Sequence, residues 1–191
     1  MKKNLIAAVF SLLVGGYSFA NTVDGDKKEV KTSSSTLTWK GYKVTGSHTG
    51  TIGIQSGHLE FDGEKLVGGE FVVNMTSLIA TDLTGGGKTK LEGHLKSDDF
   101  FGVEKFPTAK LVFTSVKSAG KNAYEVTGDL TIKGITKSVT FEVAVFGSKA
   151  TADLTIDRSQ FDVRYGSGSF FDNLGDKTIY DDFKIVADLE F

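Results

Sequence analysis

From Leu37 onward the apolar residues of this chain fall at every second position. Leu37 and Trp39 alternate with Thr38 and Lys40, and the pattern continues through Ile52 and Ile54, Leu59 and Phe61, and Phe71, Val73 and Met75. It resumes at Leu111 and Phe113, at Tyr124, Val126, Leu130 and Ile132, and at Phe141, Val143 and Val145. Leu154 and Ile156, then Ile185, Ala187, Leu189 and Phe191, complete it. A period of two puts one set of side chains on one face of a pleated strand, so each run reads as a half-buried strand. Asp62-Gly63 is a hairpin turn signal, and "SAGKN" (118–122), "KGIT" (133–136) and "FGSK" (146–149) separate later runs. Some eight such strands with 23 glycines in the chain describe an all-β, antiparallel barrel or sandwich. A barrel fits better, because long tilted strands suit closure and closure removes exposed edges. An eight-stranded barrel has an interior that side chains just fill or that holds one small ligand.

One stretch breaks the pattern. Between Lys88 and Asp98, Leu91 and Leu95 sit four apart, the spacing of one helical face, which predicts a short helix in this connection. The Thr-Gly-Gly-Gly run ahead of it is expected to break the chain. Pro107, the only proline, lacks a backbone donor and ends the irregular segment before the wall resumes.

The first twenty residues stand apart from the fold. "MKKNLIAAVFSLLVGGYSFA" has Lys2 and Lys3 at its start, an apolar stretch from Leu5 to Val14, and small residues at Ser18 and Ala20. That is the layout of a secretory signal peptide (1–20) cleaved after Ala20, and its apolar run is shorter than the ~20 residues a membrane span needs. The expected product is a periplasmic or secreted protein with no stable membrane span. Residues 21–35 are polar and aperiodic, a flexible lead-in to a barrel domain at 36–191. With 24 acidic against 22 basic residues, the chain has no bulk attraction for nucleic acid. It has no cysteine, so disulfides and thiolate chemistry are excluded.

Residues for catalysis are sparse. The histidines are His48, His58 and His94, and none has the spacing of a metal motif. "LTGGGKT" (83–89) lacks the spacing of a phosphate loop, and no dinucleotide fingerprint or nucleophile elbow occurs, so no cofactor is expected. Asp157 and Arg158 are neighbours at a strand end and point to opposite faces, so Arg158 can face a cavity mouth and bind an anion. Of 15 phenylalanines, Phe100 and Phe101, with Phe170 and Phe171, fall in loop-like segments, where aromatics can line an apolar entrance.

"HLKSDDFFGVEKFPTAKLVF" followed by "YEVTGDLTIKGITKSVTFEV" resembles the YceI-like family of exported bacterial proteins. The likeness continues through "LTIDRSQFDVRYG" and the closing "DFKIVADLEF", across about residues 36–191. Ser138 stands where the family usually has proline, and the approach to His94 lacks the Arg or Asp often found there. The resemblance implies a lipocalin-like barrel with a long apolar channel that carries or stores an isoprenoid or other lipid-like ligand, in some relatives with a polar or pyrophosphate head. His48, His94, Lys96 and Arg158 are then the candidates for contact with the head, and Phe100 and Phe101 for contact with the chain. Two other readings compete: a hydrolase or isomerase of a lipid-like substrate using His94 with Asp98 or Asp99, and a structural barrel filled by its own side chains.

Overall fold

The computed structural model describes residues 25–191, so the expected signal peptide lies outside the described residues. Within them the strands are β1 (Asp26–Glu29), β2 (Thr36–Lys43), β3 (Gly46–Asp62), β4 (Lys65–Ala80), β5 (Thr108–Gly120), β6 (Ala123–Ile132), β7 (Ile135–Phe146), β8 (Lys149–Asp157) and β9 (Ile179–Glu190). From β2 to β9 each strand pairs antiparallel with the next, and β9 pairs back onto β2. The result is the closed eight-stranded antiparallel barrel expected from the alternation. The turns after Asp62, Gly120 and Phe146 gather at one end, which we call the floor. The start of β5, the β6–β7 turn and the start of β9 gather at the other, the mouth.

The described lead-in is not free of the sheet. β1 pairs with the floor end of β3 from Asp26–Phe61 to Glu29–His58. All four of its side chains are exposed, so no apolar pattern marks it. Its hold is the backbone ladder, extended by Val30 N–H to the Gly57 carbonyl at 2.8 Å, with Lys27 paired to Glu60 at 3.3 Å and the Lys28 ammonium 4.7 Å from the Phe61 ring centroid.

β3 is one continuous strand of 17 residues rather than separate runs. Its glycine-containing breaks are shifts of register against β4, between Thr51 and Gly53 and between Ile54 and Ser56. Such irregularities bend a strand and raise its twist, which lets β3 wrap around the barrel. Gly50 marks the tightest crossing. A Cβ there would lie 1.8 Å from the Ile79 carbonyl oxygen and 2.7 Å from the Trp39 ring. The Trp39 indole Nε1–H donates to that same carbonyl at 3.0 Å, so neither neighbour can move without breaking a bond. Gly50→Ala is therefore expected to cost about 1–3 kcal/mol or more of unfolding free energy in a denaturant titration. Gly41→Ala on the neighbouring strand, where a Cβ meets nothing within 4 Å, should cost well under about 1 kcal/mol by the same measurement.

The ladders are unequal. β6 pairs with β7 over ten rungs, but β4 with β5 only from Glu70–Val112 to Asn74–Thr108, and β7 with β8 only from Glu142–Asp153 to Phe146–Lys149. Near the mouth β7 and β8 part. A 3-10 turn at Arg158–Phe161 packs between β7 and β9 there. Lys133 from the β6–β7 turn ties it down, donating to the Asp162 carbonyl at 2.8 Å.

The helix α1 (Gly85–Lys96) crosses the mouth between β4 and β5. It begins earlier than the leucine spacing predicts, and the glycines expected to break the chain form its first turn. Gly85 turns the backbone into the helix at φ +57°, a left-handed value that glycine adopts without strain. Glu92 anchors the helix to the wall by accepting the Ala80 N–H at 2.8 Å.

Candidate functional site

Alternation sends Leu37, Phe71, Phe141, Val143, Leu154 and Leu189 to the inner face, and they do not fill it. They line a cavity of about 390 Å³ running from the floor to α1, a volume in the range of small-molecule pockets. The solid-barrel reading is thereby corrected: the inner side chains stop short of meeting. The wall is apolar along most of its depth, with Thr151 of β8 the polar residue lining its floor half. Tyr42, Lys43, His48, His94, Arg158, Tyr165 and Tyr180 line it at the mouth, with Lys110 of β5.

The helix supplies the cover. Leu91 and Leu95 face the cavity, with His94 beside them. The His94 ring packs edge-on against Tyr165, centroids 4.3 Å apart, and against Phe100 at 5.5 Å. Phe100 meets Phe101 at 5.4 Å, and Phe101 meets Phe183 of β9 at 6.3 Å. This aromatic series joins helix, loop and wall. Phe100 and Phe101 are both buried and both line the cavity, whereas Phe170 and Phe171 are exposed and do not.

Arg158 is 2% exposed and lies at the wall just below the mouth. Its Nε donates to the Tyr180 carbonyl at 3.2 Å, Nη1 to Val163 at 2.8 Å and Nη2 to Ile179 at 2.9 Å. Nη2 also sits 3.3 Å from Asp181 Oδ1, and the guanidinium lies 5.3 Å from the Phe100 ring centroid. Burial holds the guanidinium pKa below its ordinary value, and the charges of Asp181 and Asp157 offset only part of that. Most of its hydrogen-bonding fork is spent on holding the 3-10 turn to β9, which leaves little of it for an anion. Asp157, on the opposite side of the backbone, accepts from Ser159 and Gln160. Desolvation raises its pKa, but those hydrogen bonds and Arg158 outweigh it and hold the carboxyl below its ordinary value.

His48 borders the mouth from β3 and is bound through Nδ1 to Asp82 Oδ2 at 2.8 Å. Desolvation raises the Asp82 pKa, and the hydrogen bonds from His48 and the Thr49 backbone more than reverse this. Lys96 is in the last helical turn and is not part of the cavity wall. Asp98 and Asp99 are exposed and Asp98 pairs with Lys105 at 2.6 Å, while the His94 ring packs against Phe100 and Tyr165. His58 is remote from the mouth, on the outer face with Glu60 at 3.1 Å. Among the described residues no cluster of three or more His, Asp or Glu is placed to hold a metal ion. Sequence reasoning missed Tyr42, Lys43, Tyr165 and Tyr180. Their signal is faint: each sits at the end of a strand or in an irregular segment, and only the closed barrel brings them together.

Comparison with known proteins places this architecture. The model of the YceI-like domain matches residues 23–191. A UPF0312 protein of Shewanella denitrificans is 32% identical over 150 residues, 77% of this chain and 75% of the relative. Protein YceI of Escherichia coli is 32% identical over 152 residues, 77% of this chain and 74% of the relative. Among solved structures, Burkholderia cenocepacia BcnA superposes with a TM-score of 0.66 at 26% identity, covering 84% of this chain and 98% of that one. A polyisoprenoid binding domain from Saccharophagus degradans shares the fold at a TM-score of 0.58 and 13% identity, covering 84% of this chain and 95% of that one. The match to the family model over all the described residues, together with a closed barrel that has a covered apolar interior, shows that the chain belongs to the YceI-like family.

Proposed function

We propose that this protein is a non-enzymatic carrier or store for a long apolar ligand, of isoprenoid or similar lipid-like chemistry, held inside the barrel. The observation that carries the reading is the distribution of polarity: a cavity whose depth is apolar but for Thr151 and whose other polar residues gather at one end. That arrangement suits a molecule with a long tail and a small polar head. Burying each methylene is worth ~0.8 kcal/mol, so the tail supplies affinity without any directional contact. The known ceiling of ~18–21 kcal/mol for non-covalent binding means that chain ordering offsets much of the gain for a long tail. The head then rests against His94, His48 and Lys43, with Arg158 bracing the wall behind them. The polyisoprenoid binding domain that shares this fold supports the choice of tail. The signal-like N-terminus supports a carrier that works in the periplasm or outside the cell.

The test is organic extraction of the purified protein followed by mass spectrometry, together with titration of a soluble fluorescent alkyl probe. The expected result is an extractable apolar chain, or stoichiometric uptake of the probe by protein that has lost it. Protein that yields no lipid and takes up no probe overturns the reading.

A further inference from the structure

The cavity ends in a surface that water does not favour. Val44, Tyr165, Phe170, Phe171 and Tyr180 are exposed, and all belong to the β2–β3 turn, the 162–178 loop or the start of β9. These segments are joined: Val44 N–H donates to the Thr178 carbonyl at 3.1 Å and Ile179 N–H to Gly166 at 2.8 Å. Tyr165 and Tyr180 each line the cavity while standing 48% and 51% exposed. The patch is therefore continuous with the mouth.

The exposure of the phenylalanines is built in. Ser167 is fully buried, as are Phe161 and Val163 just before it in the chain. The amides of Phe170 and Phe171 both donate to the Ser167 carbonyl, at 3.2 and 3.1 Å, and Ser169 Oγ donates to Asp181 at 2.6 Å. The turn thus holds Phe170 and Phe171 outward from a fixed base, with the Arg164 guanidinium 5.0 Å from the Phe170 ring centroid. Adjacent exposed aromatics fixed in this way mark an interaction site.

We infer that this aromatic rim docks on the surface of a zwitterionic phospholipid bilayer, so that an apolar ligand passes between membrane and barrel without crossing water. This rests on the carrier reading above. Two features select a bilayer over other occupants. Exposed charges of both signs lie in these segments, Lys43, Arg164 and Lys177 with Asp162, Asp172, Asp176 and Asp182, of which Arg164 pairs with Asp162, and this mixture complements headgroups that carry a phosphate and an ammonium together. The aromatic side chains combine rings with phenol hydroxyls, the chemistry that settles at the headgroup level. Because insertion is apolar, docking should change little with salt.

The experiment compares the full protein with a Phe170→Ser, Phe171→Ser double variant by co-sedimentation with phosphatidylcholine vesicles. The parent is expected to co-sediment and the variant to partition at least about tenfold more weakly. Binding of the soluble alkyl probe and the thermal melt should be unchanged, since neither phenylalanine lines the cavity. Failure of the parent to co-sediment, or equal binding by the variant, overturns the inference. So does binding that needs phosphatidylglycerol and vanishes with salt, or a dimer in sedimentation velocity that the variant dissociates. Vesicle binding without probe binding would instead overturn the carrier reading and leave the docking surface standing.

Discussion

Arg158→Met should lower the unfolding free energy of the barrel by about 3–5 kcal/mol, the range seen when one partner of a buried ion pair is removed. The variant leaves the Val163, Ile179 and Tyr180 carbonyls without the donor they share. It also leaves Asp181 Oδ1, already without a hydrogen bond among the described residues, with no neighbouring cation. Unmet buried acceptors cost about 1–3 kcal/mol each when they stay dry, and water entering from the mouth will relieve some of them. Arg158→Lys should recover only part of the loss, because one ammonium cannot reproduce a planar fork aimed at three acceptors. Denaturant unfolding followed by tryptophan fluorescence reads both, since Trp39 is the single tryptophan and lines the cavity. A loss below about 1 kcal/mol, coupled with a large loss of ligand affinity, would show instead that Arg158 serves the ligand head.

Ala187→Phe should weaken binding of a long-chain ligand by about a hundredfold while leaving a short-chain ligand almost untouched. Ala187 faces inward from β9, pairs with Leu37 and with Ala152, and lines the deep part of the cavity. A ring placed there occupies space that the far end of the chain would take. Displacing three or four methylenes at ~0.8 kcal/mol each removes about 3 kcal/mol, or some two powers of ten in Kd. Stability should not fall, because the ring enters empty volume rather than a packed layer. Titration with fluorescent alkyl probes of graded length checks both halves. An equal effect at all lengths would mean that the substitution distorts the wall.

Strand alternation made most of the wall readable in advance. Tyr124 through Ile132 and Phe141 through Val145 face inward as their spacing demands, because burial on one face forces a period of two. β1 was not readable. Asp26–Glu29 buries no side chain, and a backbone ladder leaves no trace in residue type. The start of α1 was misplaced for a related reason. Glycine at Gly86 and Gly87 disfavours a helix interior by up to about 1 kcal/mol per residue, but the wall contact through Glu92 and the seating of Leu91 and Leu95 override it. In the site, the apolar half of the cavity followed from the strands, while the mouth did not. Arg158 reads as a free cation in the sequence, and its partners are main-chain carbonyls supplied by residues five to twenty-two positions away. Tyr42 and Tyr180 are far apart in the chain and meet only after β9 closes against β2.

A closed ladder is as stiff as its weakest rungs. Here the two short ladders, β4–β5 and β7–β8, flank the sheet of β5, β6 and β7 on both sides. That three-stranded plate is bound within itself by long ladders and to the rest of the circumference by short ones. The barrel is thus two rigid staves-and-hoop pieces meeting at two compliant seams rather than a uniform tube. Small shifts at those seams would change its girth while each stave keeps its own register.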